Sequence, residues 1–168
     1  MNKKFDTKLL VMAGILVALH VVLSRFFSIN AWNIKIGFAF VPVFIAAYFY
    51  GPVFGGIVGA LGDFLGAILF PIGAYFPGFT ATCFMSGLVM GAFLHKEQSR
   101  VRTIFAVTID QLILGLLVNS FWISILYGSP YVPLLATRTV QCLIMMPVMY
   151  LTITALIRIL KKTKERLI

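Results

Sequence analysis

Apolar runs long enough to cross a bilayer follow one another along nearly the whole sequence, separated only by short stretches of glycine, proline and charge. A helix needs about 20 predominantly apolar residues to cross the hydrocarbon core. With 61% of its 168 residues apolar, 11% charged and a mean hydropathy of +1.01, the chain holds more apolar side chain than a soluble domain of this size can bury. Lipid must therefore be the solvent for most of it. The punctuation allows six spans, near 8–26, 37–51, 53–70, 76–94, 103–126 and 134–160, in one membrane domain, 1–168. The second is short, and Gly51-Pro52 makes a tight turn into the third. The expected fold is an all-α integral membrane protein, a compact bundle of six transmembrane helices.

The net charge of +9 is not a nucleic-acid surface, which gathers basic residues on one face of a folded domain. Here they flank apolar runs. Lys3, Lys4 and Lys8 precede the first span; Lys96, Arg100 and Arg102 separate the fourth from the fifth; Arg158, Lys161, Lys162, Lys164 and Arg166 follow the sixth. An even number of spans puts all three clusters on one side, which the positive-inside rule makes cytoplasmic, together with both termini. Arg25, Lys35 and Arg138 then fall on the outer half, where topology does not explain a positive charge and a partner is required.

The N-terminal stretch superficially resembles a signal peptide, but it lacks a convincing A-x-A site and its apolar run is long enough to span, so it is retained as the first helix. Cys83 and Cys142 lie in separate apolar stretches with no CxxC spacing, and His20 and His95 are the only histidines. Both cysteines read as buried small residues, with no metal or cofactor expected. Gly55, Gly59, Gly62 and Gly66, at offsets of four, three and four, form one stripe along the third helix. Gly14 with Ala18, and Gly87 with Gly91, make two further small-xxx-small pairs. Such residues let backbones approach closely in lipid, within one chain or towards a partner.

A charge at the centre of a spanning helix costs about 2.5–3.5 kcal/mol on insertion scales, so pairing or function must retain it. Asp63 falls near the midplane, Asp110 at another depth from Arg138, which places the two apart and reads Asp110 as structural or partner-linked. Asn119 with Trp122, and Arg138 with Gln141, are i,i+3 pairs in the outer halves of the fifth and sixth helices. The outer loop from Phe27 to Ile36, with Asn30, Trp32 and Lys35, and the PIGAYFP loop with Tyr75 are suited to cover a flat polar ligand. An interfacial aromatic belt is the alternative for Trp32 and Tyr75, and simple bonding across helices the alternative for Asn119 and Gln141.

Leu16 to Ile29 (LVALHVVLSRFFSI), Lys35-Ile36-Gly37-Phe38, Tyr50-Gly51-Pro52 with GGIVGALGDFLG, and the segment from Phe70-Pro71 to Pro77-Gly78 together resemble the folate-specific substrate-binding subunits (S components) of energy-coupling factor (ECF) transporters. The resemblance implies a six-helix bundle that captures a vitamin outside and docks on a transmembrane coupling protein carrying two ATPases. It also implies that the S component topples in the membrane to release the vitamin, and a location in the plasma membrane of a Gram-positive bacterium. The family docks through small residues of the first helix, usually AxxxA, matched here by Gly14 and Ala18. Folate presents a pterin donor edge, an aromatic linker and a glutamate tail. Asp63 suits the donor edge; Trp32, Tyr75, Phe79 and Trp122 suit stacking; Arg25, Lys35 and Arg138 suit the carboxylates or the ring carbonyl. Asn30, Asn119 and Gln141 complete the expected folate-binding set.

A membrane enzyme would need a nucleophile with a base, or a metal with its ligands, and the sequence has no HExxH, no GxSxG and no paired acid cluster. It also has no Walker A pattern, so ATP hydrolysis is assigned to partner subunits. The remaining rivals are an S component for riboflavin, thiamine or a queuosine precursor, and a membrane scaffold without a ligand.

Overall fold

The computed structural model describes residues 7–31 and 34–167, without the side chains of 30, 31, 34 and 163–167. Helix α1 (Thr7–Arg25) leads into strands β1 (Ser28–Ala31) and β2 (Ile34–Gly37), followed by α2 (Phe40–Tyr50), α3 (Pro52–Leu69) and α4 (Pro77–Leu94). Next comes one long rod built of α5 (Arg100–Thr108), a π-helical segment (Ile109–Val118) and α6 (Asn119–Tyr127); α7 (Tyr131–Leu167) ends the chain.

Five of these rods are long and apolar enough to cross a membrane, namely α1, α3, α4, Arg100–Tyr127 and the Tyr131–Lys162 part of α7. The expected second span is different. Helix α2 has only 11 residues, about 16 Å of rise, roughly half the hydrocarbon thickness. It is nevertheless the most enclosed helix, with Pro42, Val43, Phe44, Ala46, Ala47 and Tyr48 buried. Protein rather than lipid surrounds it, so membrane length is not required of it. Helix α7, by contrast, rises about 55 Å, and carries Arg158, Lys161 and Lys162 beyond the apolar core.

The expected outer loop is a β-hairpin, which corrects the all-helical expectation locally. The strands pair antiparallel, Ser28 opposite Gly37, Ile29 opposite Ile36, Asn30 opposite Lys35 and Ala31 opposite Ile34. Isoleucines recurring every second residue favour this pairing. A Cβ on Gly37 would stand 2.6 Å from the Ser28 Cβ, so the end of the ladder depends on glycine.

Helices α3 and α4 pack backbone to backbone. A Cβ on Gly87 would meet the Gly55 carbonyl carbon at 2.2 Å, and one on Gly91 the Pro52 Cα at 2.2 Å. The α3 stripe serves three neighbours at once: Gly55 lies against Ala47 of α2, Gly59 against the Cys83 carbonyl of α4, and Gly62 and Gly66 against His20 and Arg25 of α1. Its small residues thus hold this chain together. Gly14 has nothing within 4 Å of its would-be Cβ, and both it and Ala18 are exposed.

The turn between α2 and α3 is fixed by Gly51 at φ 93°, a conformation other residues rarely adopt. Pro52 opens α3, and the His95 Nδ1 lies 2.9 Å from the Tyr48 carbonyl. Beside this turn Phe44, Met90, Leu94, Ala106, Met149 and Ile153 join α2, α4, α5 and α7 in an apolar core. That core closes one end of the bundle and leaves polar residues to gather at the other.

Gly87→Val drives a branched side chain into the α3 backbone and is expected to destabilise the protein by at least about 1–3 kcal/mol. Gly14→Val, facing open space, is expected to leave the thermal melt of the detergent-purified protein unchanged.

Candidate functional site

A cavity of about 210 Å³ opens between α1, the hairpin, α2, α3, α4, the π-helical rod and α7, at the end opposite the apolar core. Every element reaching it except α2 contributes a polar side chain, with His20 coming from α1. Lys35 comes from β2; Asp63 from α3; Thr82, Cys83 and Ser86 from α4; Asp110, Gln111 and Asn119 from the rod; Arg138 and Gln141 from α7. Phe40, Val43, Leu114 and Met145 supply its apolar wall. A polar chamber inside an apolar bundle is the form of a small-molecule site.

One side is built around Asp63. Its carboxylate lies 3.8 Å from the Arg25 guanidinium and accepts the Thr80 hydroxyl at 2.8 Å, and Thr80 also meets the Tyr75 hydroxyl at 3.3 Å. Arg25 additionally donates to the Asp63 carbonyl at 3.5 Å. The cation at the C-terminal end of α1 therefore has its partner on α3, close to Gly66, which lets the two helices meet.

The opposite side is organised by α7. The Arg138 guanidinium donates to the Gly115 carbonyl at 3.0 Å. One turn on, Gln141 donates to the Lys35 backbone carbonyl at 2.7 Å, fastening the hairpin to the bundle. Surrounding protein and the positive charge of Arg25 push the Lys35 ammonium below its ordinary pKa, so an anionic group beside it would be favoured. Asp110 accepts hydrogen bonds from the Ser86 hydroxyl and from Gln111 at 3.2 Å. Asn119 Oδ1 and Gln141 Oε1 are buried acceptors without a hydrogen-bond partner among the described residues. Each leaves about 1–3 kcal/mol of desolvation for a donor to recover.

Of the expected residues, Lys35, Asp63, Asn119, Arg138 and Gln141 line the cavity, whereas Arg25, Tyr75, Phe79 and Trp122 stand behind or beside its wall. Trp122 donates to the lining Thr82 hydroxyl at 3.1 Å and packs on Phe76, ring centres 5.6 Å apart. Phe79 packs on Phe76 as well, at 6.0 Å. Trp32 and the Asn30 side chain lie outside the described residues.

Several lining residues were not expected, among them His20, Asp110 and Gln111. His20 is buried against Gly62, with its side chain on the cavity wall. Asp110 and Gln111 belong to the same chamber as Arg138, at the start of the π-helical part of the rod. An intramembrane carboxylate was the available signal for Asp110.

A helical membrane bundle with a polar cavity of this kind is a membrane-embedded binding protein for a small polar ligand. Residues 8–160 match the family "ECF transporter, substrate-specific component", and the chain belongs to that family. It is 40% identical over 134 residues to the folate transporter FolT of Clostridium novyi (strain NT), covering 79% of this chain and 78% of that protein. It is 33% identical over 152 residues to FolT of Leuconostoc mesenteroides subsp. mesenteroides, covering 86% and 82%. Among solved structures it is similar to FolT bound with folic acid, with a TM-score of 0.85 and 31% identity over 90% of this chain and 93% of that one. An S component of a bacterial ECF transporter shares the fold at a TM-score of 0.64 and 23% identity, over 93% and 99%.

Arg25→Gln leaves the Asp63 carboxylate without its cation and is expected to lower stability by more than the double substitution Arg25→Gln/Asp63→Asn, with a coupling of at least about 1 kcal/mol. Thermal melts of the four proteins in one detergent measure it.

Proposed function

We propose that this chain is the folate-binding S component of an ECF transporter and works as a carrier of substrate rather than as an enzyme. The observation that carries the reading is the chemistry of the chamber in a chain 31% identical to FolT bound with folic acid. Folate is flat, amide-like at one end and dianionic at the other. Asp63 and Asp110 offer acceptors to the N–H groups of the pterin, and the unmet Asn119 and Gln141 oxygens offer two more. Arg138 and Lys35 offer charge-assisted bonds to the ring carbonyl or the glutamate carboxylates. Trp122 and Tyr75, beside the wall, are placed to cover an aromatic linker once the ligand holds the hairpin and the 70–76 loop against it.

The delivery step belongs to the same proposal. Helix α2 counts as the sixth crossing, the single membrane domain keeps both termini on the cytoplasmic side, and the chamber faces outward. Gly14 and Ala18, exposed on α1 with space above the former, dock on a transmembrane coupling protein whose two ATPase subunits hydrolyse ATP. The location that fits this role is the plasma membrane of a Gram-positive bacterium.

Isothermal titration of the detergent-purified chain with folate, beside riboflavin and thiamine, tests the substrate. Folate is expected to bind at nanomolar concentration and the two controls not at all. Binding of a control in place of folate would keep the architecture and reject the substrate; binding of none of the three would reject vitamin capture by the isolated chain.

A further inference from the structure

The ten residues Ile109–Val118 are π-helical, and this departure decides which side chains reach the chamber. Nine residues separate Asp110 from Asn119. In an α-helix that distance is about two and a half turns, which puts the two on opposite faces. A π-helix bonds i to i−5 and turns less per residue; here the Asn119 N–H bonds the Leu114 carbonyl. Asp110, Leu114, Gly115 and Asn119 consequently share the cavity wall, while Ile113 and Leu117 are 48% and 46% exposed on the outer face.

Helix α7 holds the widened segment in place. The Gly115 carbonyl accepts from Arg138 at 3.0 Å, the Gln111 carbonyl from the Cys142 thiol at 3.4 Å, and the Leu117 carbonyl from the Tyr131 hydroxyl at 3.2 Å. Carbonyls tilted off the helix axis thus find partners on the neighbouring helix, as lipid would require.

We propose that the π-helical segment is the specificity-determining element of this S component, because it brings the Asp110 carboxylate and the Asn119 amide onto one wall to read the edge of a flat N-heterocycle. The assignment rests on the folate reading and deepens it by tying Asp110 and Asn119 to one helical register, since an α-helical register would turn one of the two to lipid. A carboxylate takes two N–H donors from such an edge. The amide supplies a further acceptor together with a donor, so a ring of the same shape with a different donor order would leave one of these groups unpaired.

Single cysteines at 110, 113, 114, 115, 117 and 119 in the otherwise native chain, with modification read site by site by peptide mass spectrometry so that Cys83 and Cys142 are scored separately, test the register. Folate is expected to slow maleimide modification at 110, 114, 115 and 119 among the variants that retain binding, and to leave 113 and 117 unchanged. Protection of 113 or 117 would show an α-helical face towards the ligand and overturn the proposal. In the otherwise native chain Asp110→Asn and Asn119→Ala are each expected to weaken folate binding about 10- to 100-fold, the worth of a hydrogen bond to a charged or buried group, with the thermal melt of the ligand-free protein preserved. Unchanged affinity in both variants would also overturn it. Absence of folate binding by the parent chain is a separate outcome and would instead reject the substrate reading on which the proposal stands.

Discussion

Lipid offers no hydrogen bonds, and every polar group inside this bundle must be answered by another part of the chain or by a ligand. The arrangement of the whole molecule follows from that constraint. At one end apolar side chains from α2, α4, α5 and α7 close the interior completely, with Phe44, Met90, Leu94, Met149 and Ile153 at 1% exposure or less. At the other end intramembrane carboxylates, cations and amides share one chamber. They are partly answered by one another, as in Arg25 with Asp63 and Arg138 with Gly115, and partly left with buried acceptors for something else to meet.

Close backbone packing makes the chamber possible. Glycines on α3 bring α1, α2 and α4 within van der Waals reach of its backbone, so the binding wall is supported by helices that cannot easily slide. The rod and α7 form the more adjustable side, where side chains of α7 hold backbone carbonyls of a widened helix.

Much of this was legible from residue order alone, because hydropathy and glycine spacing report directly on lipid exposure and helix contact. The five membrane-length rods, the Gly51-Pro52 turn and the clustering of Lys35, Asp63, Asn119, Arg138 and Gln141 follow from such patterns. What escaped did so for physical reasons. The hairpin has strands of only four residues, whose alternation is hidden by polar neighbours. Helix α2 has only 11 residues and is largely surrounded by protein, and a hydropathy window cannot distinguish that enclosure from lipid. Asp110 and Arg138, placed at different depths, do line one chamber, but they bond different partners, Asp110 the Ser86 hydroxyl and Arg138 the Gly115 carbonyl, and the π-helical register that lets Asp110 and Asn119 share a wall has no signature in residue order. His20 carried no signal in the sequence because its neighbour Gly62 has no side chain to announce the contact.

The central claim is that the chamber bounded by Asp63, Asp110, Asn119 and Arg138 is where the ligand sits. An experimental structure of the chain in lipid nanodiscs with folate present tests it most directly. The account predicts density for the vitamin inside the chamber, its ring edge against the carboxylate and amide groups and its anionic end beside a basic side chain. Folate seated elsewhere on the protein, with the chamber empty, would contradict it.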